Sequence, residues 1–178
     1  MDAPSTAHNP GLYAELHLHL GGAILPHILY VRLQRDAHPL LKKYPTPEKF
    51  ERVFTQRRHS LADYLKMHEL VEQIQQPADP TLYYFVTRLV RGAYLFDNLA
   101  YIELRHTPYN RTDKHLPQSQ RIDQMRSVVE VIAAAAGAQS QFPVRLSQIL
   151  CTHSRLPDEV NHAIVDLAAA MPDKVCAI

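Results

Sequence analysis

The sequence lacks the features that mark several large protein classes. Its 178 residues include only two cysteines, Cys151 and Cys176, and their separation is not that of a cysteine metal site. Each lies in an apolar run, so we expect two reduced, buried thiols in a cytoplasmic protein and no disulfide framework. No apolar run approaches the ~20 residues of a membrane-spanning helix. Residues 1–10 are polar and lack the apolar core of a signal peptide.

Charge of one sign is not in excess either. Nineteen Lys and Arg residues balance 18 Asp and Glu residues, which leaves a formal net charge of +1. The charge balance therefore gives no argument for a nucleic-acid partner or an acidic membrane surface. Glycine is also scarce, with five residues, of which Gly21 and Gly22 are adjacent. Histidine, in contrast, is abundant, with 11 residues.

Predicted strands and helices alternate along the chain. Apolar, β-prone segments predict four strands, at residues 12–20, 98–106, 144–152 and 174–178. Capping residues and apolar periodicity predict helices at residues 26–35, 61–75, 80–96, 118–136 and 157–171. The proline-dotted residues 36–56 predict loop and short helix.

This alternation is typical of an α/β protein with a parallel sheet. Four βα units make half of an eight-stranded barrel, so we predict the N-terminal half of a (β/α)8 TIM-type barrel. The segment after the first strand predicts a helical insertion. We expect residues 1–11 to be a flexible arm and residues 12–178 to be the half barrel, with an apolar inner face exposed.

The first strand carries the strongest chemical signal. From Ala14 onward polar and apolar residues alternate, so Glu15, His17 and His19 share one face of a strand. Two convergent imidazoles are half of a site for Zn²⁺ or another divalent metal, although packed or surface histidines are the alternative. Glu15, deeper on the same face, needs a basic partner, and Arg105 is the candidate.

The run AELHLHLGGAILPHILY, residues 14–30, resembles the opening of the adenosine deaminase family. In that family the first barrel strand reads approximately V-E-L-H-x-H-L-D-G. Further segments are similar in the same order: SLADYLKMHELV to the helix over the active-site mouth, E-L-R-x-x-P to the second strand, VRLSQILCTHSR to the third and KVCAI to the fourth. The resemblance covers residues 12–178.

The resemblance implies hydrolytic deamination of the 6-amino group of adenosine, AMP or ATP by a metal-bound water. It makes His17 and His19 the first two ligands of Zn²⁺ or another divalent metal. The positions expected to contact the purine nucleoside or nucleotide are Gly21, Leu61, Tyr64, Leu65, His68 and Thr107. His106 and His153, at strand ends, are candidates for the pocket wall, and His153 is included in the expected site. Leu61 and Leu65 fit a packed core equally well.

Two positions differ from the typical sequence of the family. Gly21 stands where the family carries an Asp that engages the ribose 5′-hydroxyl, and His68 stands where an aromatic residue is usual. Glycine removes a charge that would repel a 5′-phosphate, and the helix beginning near Pro26 would present its positive end to that phosphate. Ordinary sequence drift, with the 5′ group recognised elsewhere, is the alternative.

The larger departure is the absence of the family's remaining catalytic motifs, which come from strands five to eight. We therefore expect no catalytic acid or water-orienting residue in these 178 residues. A second polypeptide or a cleaved continuation would supply the C-terminal half barrel, in a homo- or hetero-oligomer with no membrane or nucleic-acid partner. Two alternatives stay open: another amidohydrolase-type metal hydrolase, and a catalytically incomplete assembly or regulatory subunit.

Overall fold

Four parallel strands form the centre of the protein. The computed structural model describes residues 13–76 and 78–178, so the predicted arm at residues 1–11 lies outside the described residues. The strands are β1 (Tyr13–His19), β2 (Leu99–His106), β3 (Arg145–Leu150) and β4 (Val175–Ala177). They pair in the order β1-β2-β3-β4, and every pairing is parallel. This is the order in which the first four strands of a (β/α)8 barrel follow one another.

Helices connect the strands. They are α1 (Pro26–Arg35), α2 (Pro47–Thr55), α3 (Leu61–Ile74), α4 (Ala78–Asp97), α5 (Gln118–Gly137) and α6 (Asp158–Ala170). Helices α1 to α3 form the predicted insertion between β1 and α4, and Ser60 caps α3 by accepting a hydrogen bond of 3.2 Å from the Asp63 N–H. The prediction of an α/β fold built as the N-terminal half of a TIM-type barrel is confirmed.

The core lies between the sheet and the helices α4 to α6. Ile102 and Leu104 of β2 are fully buried against apolar residues of α4 and α5, among them Val86 and Ile132. A second cluster joins β3 and β4 to α6, and a third, around Phe50, holds the insertion together. Within the described ranges, no helix is long and apolar enough to cross a bilayer.

The opposite face of the sheet is polar. The side chains of β2 that are buried toward the helices are Ile102, Leu104 and His106. Those on the other face are only half-buried, and they are Tyr101, Glu103 and Arg105. The Tyr101 hydroxyl lies 3.2 Å from Glu103 Oε1, and Ser147 of β3 is the register partner of Glu103. The expectation of an apolar inner face was therefore wrong, because the alternation of β2 puts its charged residues there.

Both cysteines are free thiols. The expectation that both are buried was wrong, because Cys151 is half-buried and Cys176 is exposed. Val175 packs into the core, and the next residue of the same strand must point to the opposite, uncovered face. Partial desolvation raises the pKa of both thiols, which favours the unreactive protonated form.

Candidate active site

His17 and His19 converge at the end of β1. Their Nε2 atoms lie 3.2 Å apart, and both side chains are exposed. Two nitrogen ligands of a tetrahedral Zn²⁺ ion, each about 2.0–2.1 Å from the metal, lie about 3.3 Å apart, so the pair has a chelating geometry. No cluster of three or more histidine, cysteine or acidic residues suited to a metal occurs in residues 13–76 and 78–178. The pair therefore offers two ligands of a site and not a complete site.

The environment of His19 favours the form that binds metals. Partial desolvation lowers its pKa below the ordinary value, and the neighbouring charges of His17, Arg105 and His68 lower the pKa further. A neutral imidazole keeps the lone pair that coordinates a divalent ion. The electrostatics and the geometry of the pair thus agree.

Strand β1 is irregular beside this pair. Its register with β2 shifts between Glu15 and Leu18, as at a β-bulge. The Glu15 carboxylate accepts a hydrogen bond of 2.8 Å from the backbone N–H of His17. Among the ion pairs of the described residues none joins Glu15 to Arg105, and the buried Nε of Arg105 has no hydrogen-bond partner there. The predicted Glu15–Arg105 pair was therefore wrong, since the carboxylate turns back to its own strand.

A cleft of about 640 Å³ opens beside His19, at the carboxyl ends of β1, β2 and β3. Helix α3 forms its other wall. The cleft is lined by these residues expected from the sequence: His19, Gly21, Tyr64, Leu65, His68, His106, Thr107 and His153. His17 does not line the cleft but touches His19. Leu61, at the start of α3, also lies outside the lining and is 72% exposed.

Sequence reasoning missed several polar residues of this cleft. They are Glu69, Glu72, Asn110, Arg111, Cys151, Thr152 and Arg155. Arg111 is 2% exposed, and burial lowers its pKa to about 10 while the Glu72 carboxylate, 3.9 Å away, opposes that shift. Asn110 donates to both carboxylate oxygens of Glu72, at 3.2 and 3.3 Å. The position of Asn110 and Arg111 after the end of β2 was the available signal, because barrel sites gather in such loops.

His106 is a buried neutral histidine in the cleft wall. It is 3% exposed, and burial is the main cause that lowers its pKa to about 3, followed by the charge of Arg111. Its Nε2 lies 2.9 Å from Gln148 Oε1, and the Gln148 amide nitrogen donates to the Val129 carbonyl. The Gln148 Oε1 atom can only accept a hydrogen bond. The proton of the His106 imidazole therefore belongs on Nε2.

Gly21 and His68 lie next to each other in the lining of the cleft. A Cβ atom at position 21 would lie 3.3 Å from His68 Nδ1, which is tighter than an ordinary contact. The His68 ring packs edge-on against Tyr64 with centroids 4.6 Å apart. Its Nε2 is buried and has no hydrogen-bond partner among the described residues. The imidazole thus occupies part of the space that a side chain at position 21 would need.

Residues 13–178 match the sequence profile of the family described as adenosine deaminase. The chain belongs to the adenosine deaminase family. It is 32% identical over 164 residues to the adenosine deaminase of Streptococcus agalactiae serotype III, strain NEM316. That match covers 87% of this chain and 44% of the relative, so the chain spans about half the length of the curated relatives it matches.

Solved structures with the same fold include deaminases. The adenine deaminase of Arthrobacter aurescens superposes with a TM-score of 0.66 at 20% identity, over 91% of this chain and 46% of its own. The N6-mAMP deaminase of Arabidopsis superposes with a TM-score of 0.62 at 23% identity, over 93% of this chain and 48% of its own. At these sequence identities the two structures show only that this member of the adenosine deaminase family shares their fold.

Proposed function

We propose that this chain is the N-terminal half of a hydrolase that removes the 6-amino group of an adenine nucleoside or nucleotide. The observation that carries the proposal is the His17–His19 pair, whose Nε2 atoms lie 3.2 Å apart and whose second member, His19, lines the cleft. Membership of the adenosine deaminase family supports the reaction class. A cytoplasmic location remains part of the proposal.

His17 and His19 would hold Zn²⁺ or another divalent metal. When bound, such an ion supplies the Lewis acidity that lowers the pKa of a water molecule. The residues of this chain would bind and orient the purine: Tyr64, Leu65 and His68 from α3, and Thr107 and His153 from the strand ends. The side chain of Leu61 is exposed. Leu61 would therefore contact the substrate only after the start of α3 moves inward.

A second polypeptide or a continuation of the chain would complete the barrel and supply the remaining ligands. The lengths of the relatives support this, since the chain covers 44% of the Streptococcus enzyme. The described residues offer no third metal ligand beside His17 and His19. Deamination of adenosine by these 178 residues alone would contradict the need for a second half.

We further propose that the cleft accepts a 5′-phosphate. Gly21 brings no carboxylate to this wall, and the buried Nε2 of the neighbouring His68 has no hydrogen-bond partner among the described residues. Arg105 and Arg155 also line the cleft and can attract an anion. The Arabidopsis N6-mAMP deaminase, a protein of the same fold, is named for a 5′-monophosphate. The Arthrobacter enzyme is named for the free base, so adenine belongs in the assay.

Gly21→Asp is expected to lower kcat/KM for AMP at least tenfold relative to adenosine. A carboxylate there would repel the phosphate in a partly desolvated cleft, where that repulsion is worth on the order of one to several kcal/mol. Because the new Cβ would crowd the His68 ring, the change is made both alone and with His68→Ala, which removes that ring. Steady-state kinetics of the completed enzyme on adenosine, AMP, ATP and adenine measure the effect.

Gly21→Asn is the matched control, because it adds the same volume without the charge. It should leave the ratio of AMP to adenosine within about threefold of the unmodified enzyme. A strong preference of the unmodified enzyme for adenosine, together with nucleotide rates that Gly21→Asp does not change, would exclude recognition of the phosphate at this position.

A further inference from the structure

Helix α3 is most deeply buried at its C-terminal end. Its first half carries Leu61, 72% exposed, and Tyr64, 45% exposed. Its buried apolar residues, Val71 and Ile74, lie in the last turn, where they join the core cluster around Phe50. The cleft wall formed by α3 therefore depends on how firmly its C-terminal end is fixed.

Gln75 fixes that end. It caps α3, is 0% exposed, and does not line the cleft. Its side-chain amide donates to the Leu20 carbonyl at 3.3 Å, and its amide oxygen accepts from Arg111 at 3.1 Å. Leu20 directly follows His19 and is itself hydrogen-bonded through its N–H to the Arg105 carbonyl at 2.9 Å. One buried amide thus joins α3 to the strand of the histidine pair.

Arg111 extends the connection to the end of β2. Its guanidinium donates to the Thr107 carbonyl at 3.1 Å, in addition to its bond with Gln75. Gln76, the next residue after Gln75, donates to the Asn110 carbonyl. The end of α3 is therefore tied to β1 through Leu20 and to β2 through the loop that carries Asn110 and Arg111.

We propose that Gln75 is a positioning residue, which sets the cleft wall of α3 at a fixed distance from the His17–His19 pair. Only a side chain with both a donor and an acceptor satisfies the Leu20 carbonyl and the Arg111 guanidinium together. Without that partner the Leu20 carbonyl would keep only the 3.4 Å hydrogen bond from the Ala23 N–H, and the buried guanidinium of Arg111 would lose one of its acceptors, so the amide has a specific function at this position. This inference rests on the proposed deaminase function only where the activity of the enzyme is measured.

Gln75→Glu separates positioning from simple packing. The carboxylate keeps the size of the side chain and pairs with Arg111, but it cannot donate to the Leu20 carbonyl and faces it with a second acceptor. We expect amide hydrogen exchange in residues 61–70 to accelerate at least tenfold while exchange in α5 stays unchanged. In the completed enzyme KM for adenosine should rise at least fivefold, with bound Zn²⁺ retained.

Two further variants sharpen the result. Gln73→Glu makes the same change at an exposed position of the same helix and should change neither exchange nor KM. Gln75→Met removes both hydrogen bonds at similar volume and should accelerate exchange in residues 61–70 as well. Unchanged exchange there in both Gln75 variants, or exchange that rises equally in α5, would overturn the proposal. If amide exchange in the Gln75 variants accelerates only in α3 and the completed protein does not deaminate adenosine, the proposed function is rejected. The positioning of α3 by Gln75 would still stand.

Discussion

Replacing His17 or His19 with Ala is expected to remove the metal and to lower deaminase activity by about a thousandfold or more. Metal catalysis contributes several kcal/mol of transition-state stabilisation, and each 1.36 kcal/mol is a factor of ten in rate. With one imidazole left, the 3.2 Å pair no longer chelates. Both side chains are exposed, so the fold should persist. The measurements are metal content after dialysis and turnover of adenosine by the completed enzyme.

His115→Ala is the matched control, because His115 is exposed and lies outside the cleft lining. It should leave both metal content and turnover unchanged. Removal of the metal by a chelator should reproduce the loss in the unmodified enzyme, and added Zn²⁺ should reverse it. Full activity in His17→Ala would show that His17 does not hold a catalytic metal.

Acidification from pH 7 to pH 5 is expected to destabilise the protein through His106 by about 2 kcal/mol. The folded protein holds this imidazole neutral, with a pKa of about 3 against an ordinary value of 6.5. Between those values the unfolded chain binds a proton that the folded chain does not, so stability falls as the pH falls. Above about pH 6.5 His106 does not lower the free energy of unfolding. Below that pH the free energy of unfolding falls progressively down to about pH 3, by up to 1.36 kcal/mol per pH unit.

Urea unfolding at pH 7 and pH 5 measures this dependence. His106→Asn keeps a donor for Gln148 but has no group that titrates in this range, so the difference between the two pH values should shrink by most of the 2 kcal/mol. Its stability at pH 7 should fall because the ring leaves a cavity. His115→Asn, at an exposed position, should retain the full dependence. An equal pH dependence in His106→Asn and the unmodified protein would assign the effect to other groups.

The order of strands and helices could be predicted because local signals determine it. Period-two alternation in β1 and the Ser60–Asp63 cap each act over a few residues, and the structure contains both elements. Convergence of His17 and His19 follows from the same alternation, since residues two apart in a strand point the same way. These features required no knowledge of distant contacts.

Features that depend on the register or on distant residues could not be predicted. The shift between Glu15 and Leu18 is invisible in an alternating pattern, and it removed the expected partner of Glu15. Gln75 and Arg111 lie 36 positions apart, and only the fold brings them together. The helix beginning at Pro26 was expected to face a phosphate, but the residues before it, including Leu25, border a separate cavity next to α4.

The polar inner face of the sheet determines what can close the proposed barrel. Glu103 and Arg105 are half-buried there, and closure would strip the remaining water from both. An apolar segment placed against them would leave charges without partners, at a cost of several kcal/mol. Only a segment with matching donors, acceptors and counter-charges offsets that cost. Selection of the correct second half would therefore depend on complementary charge, and the two halves should discriminate against segments that are merely hydrophobic.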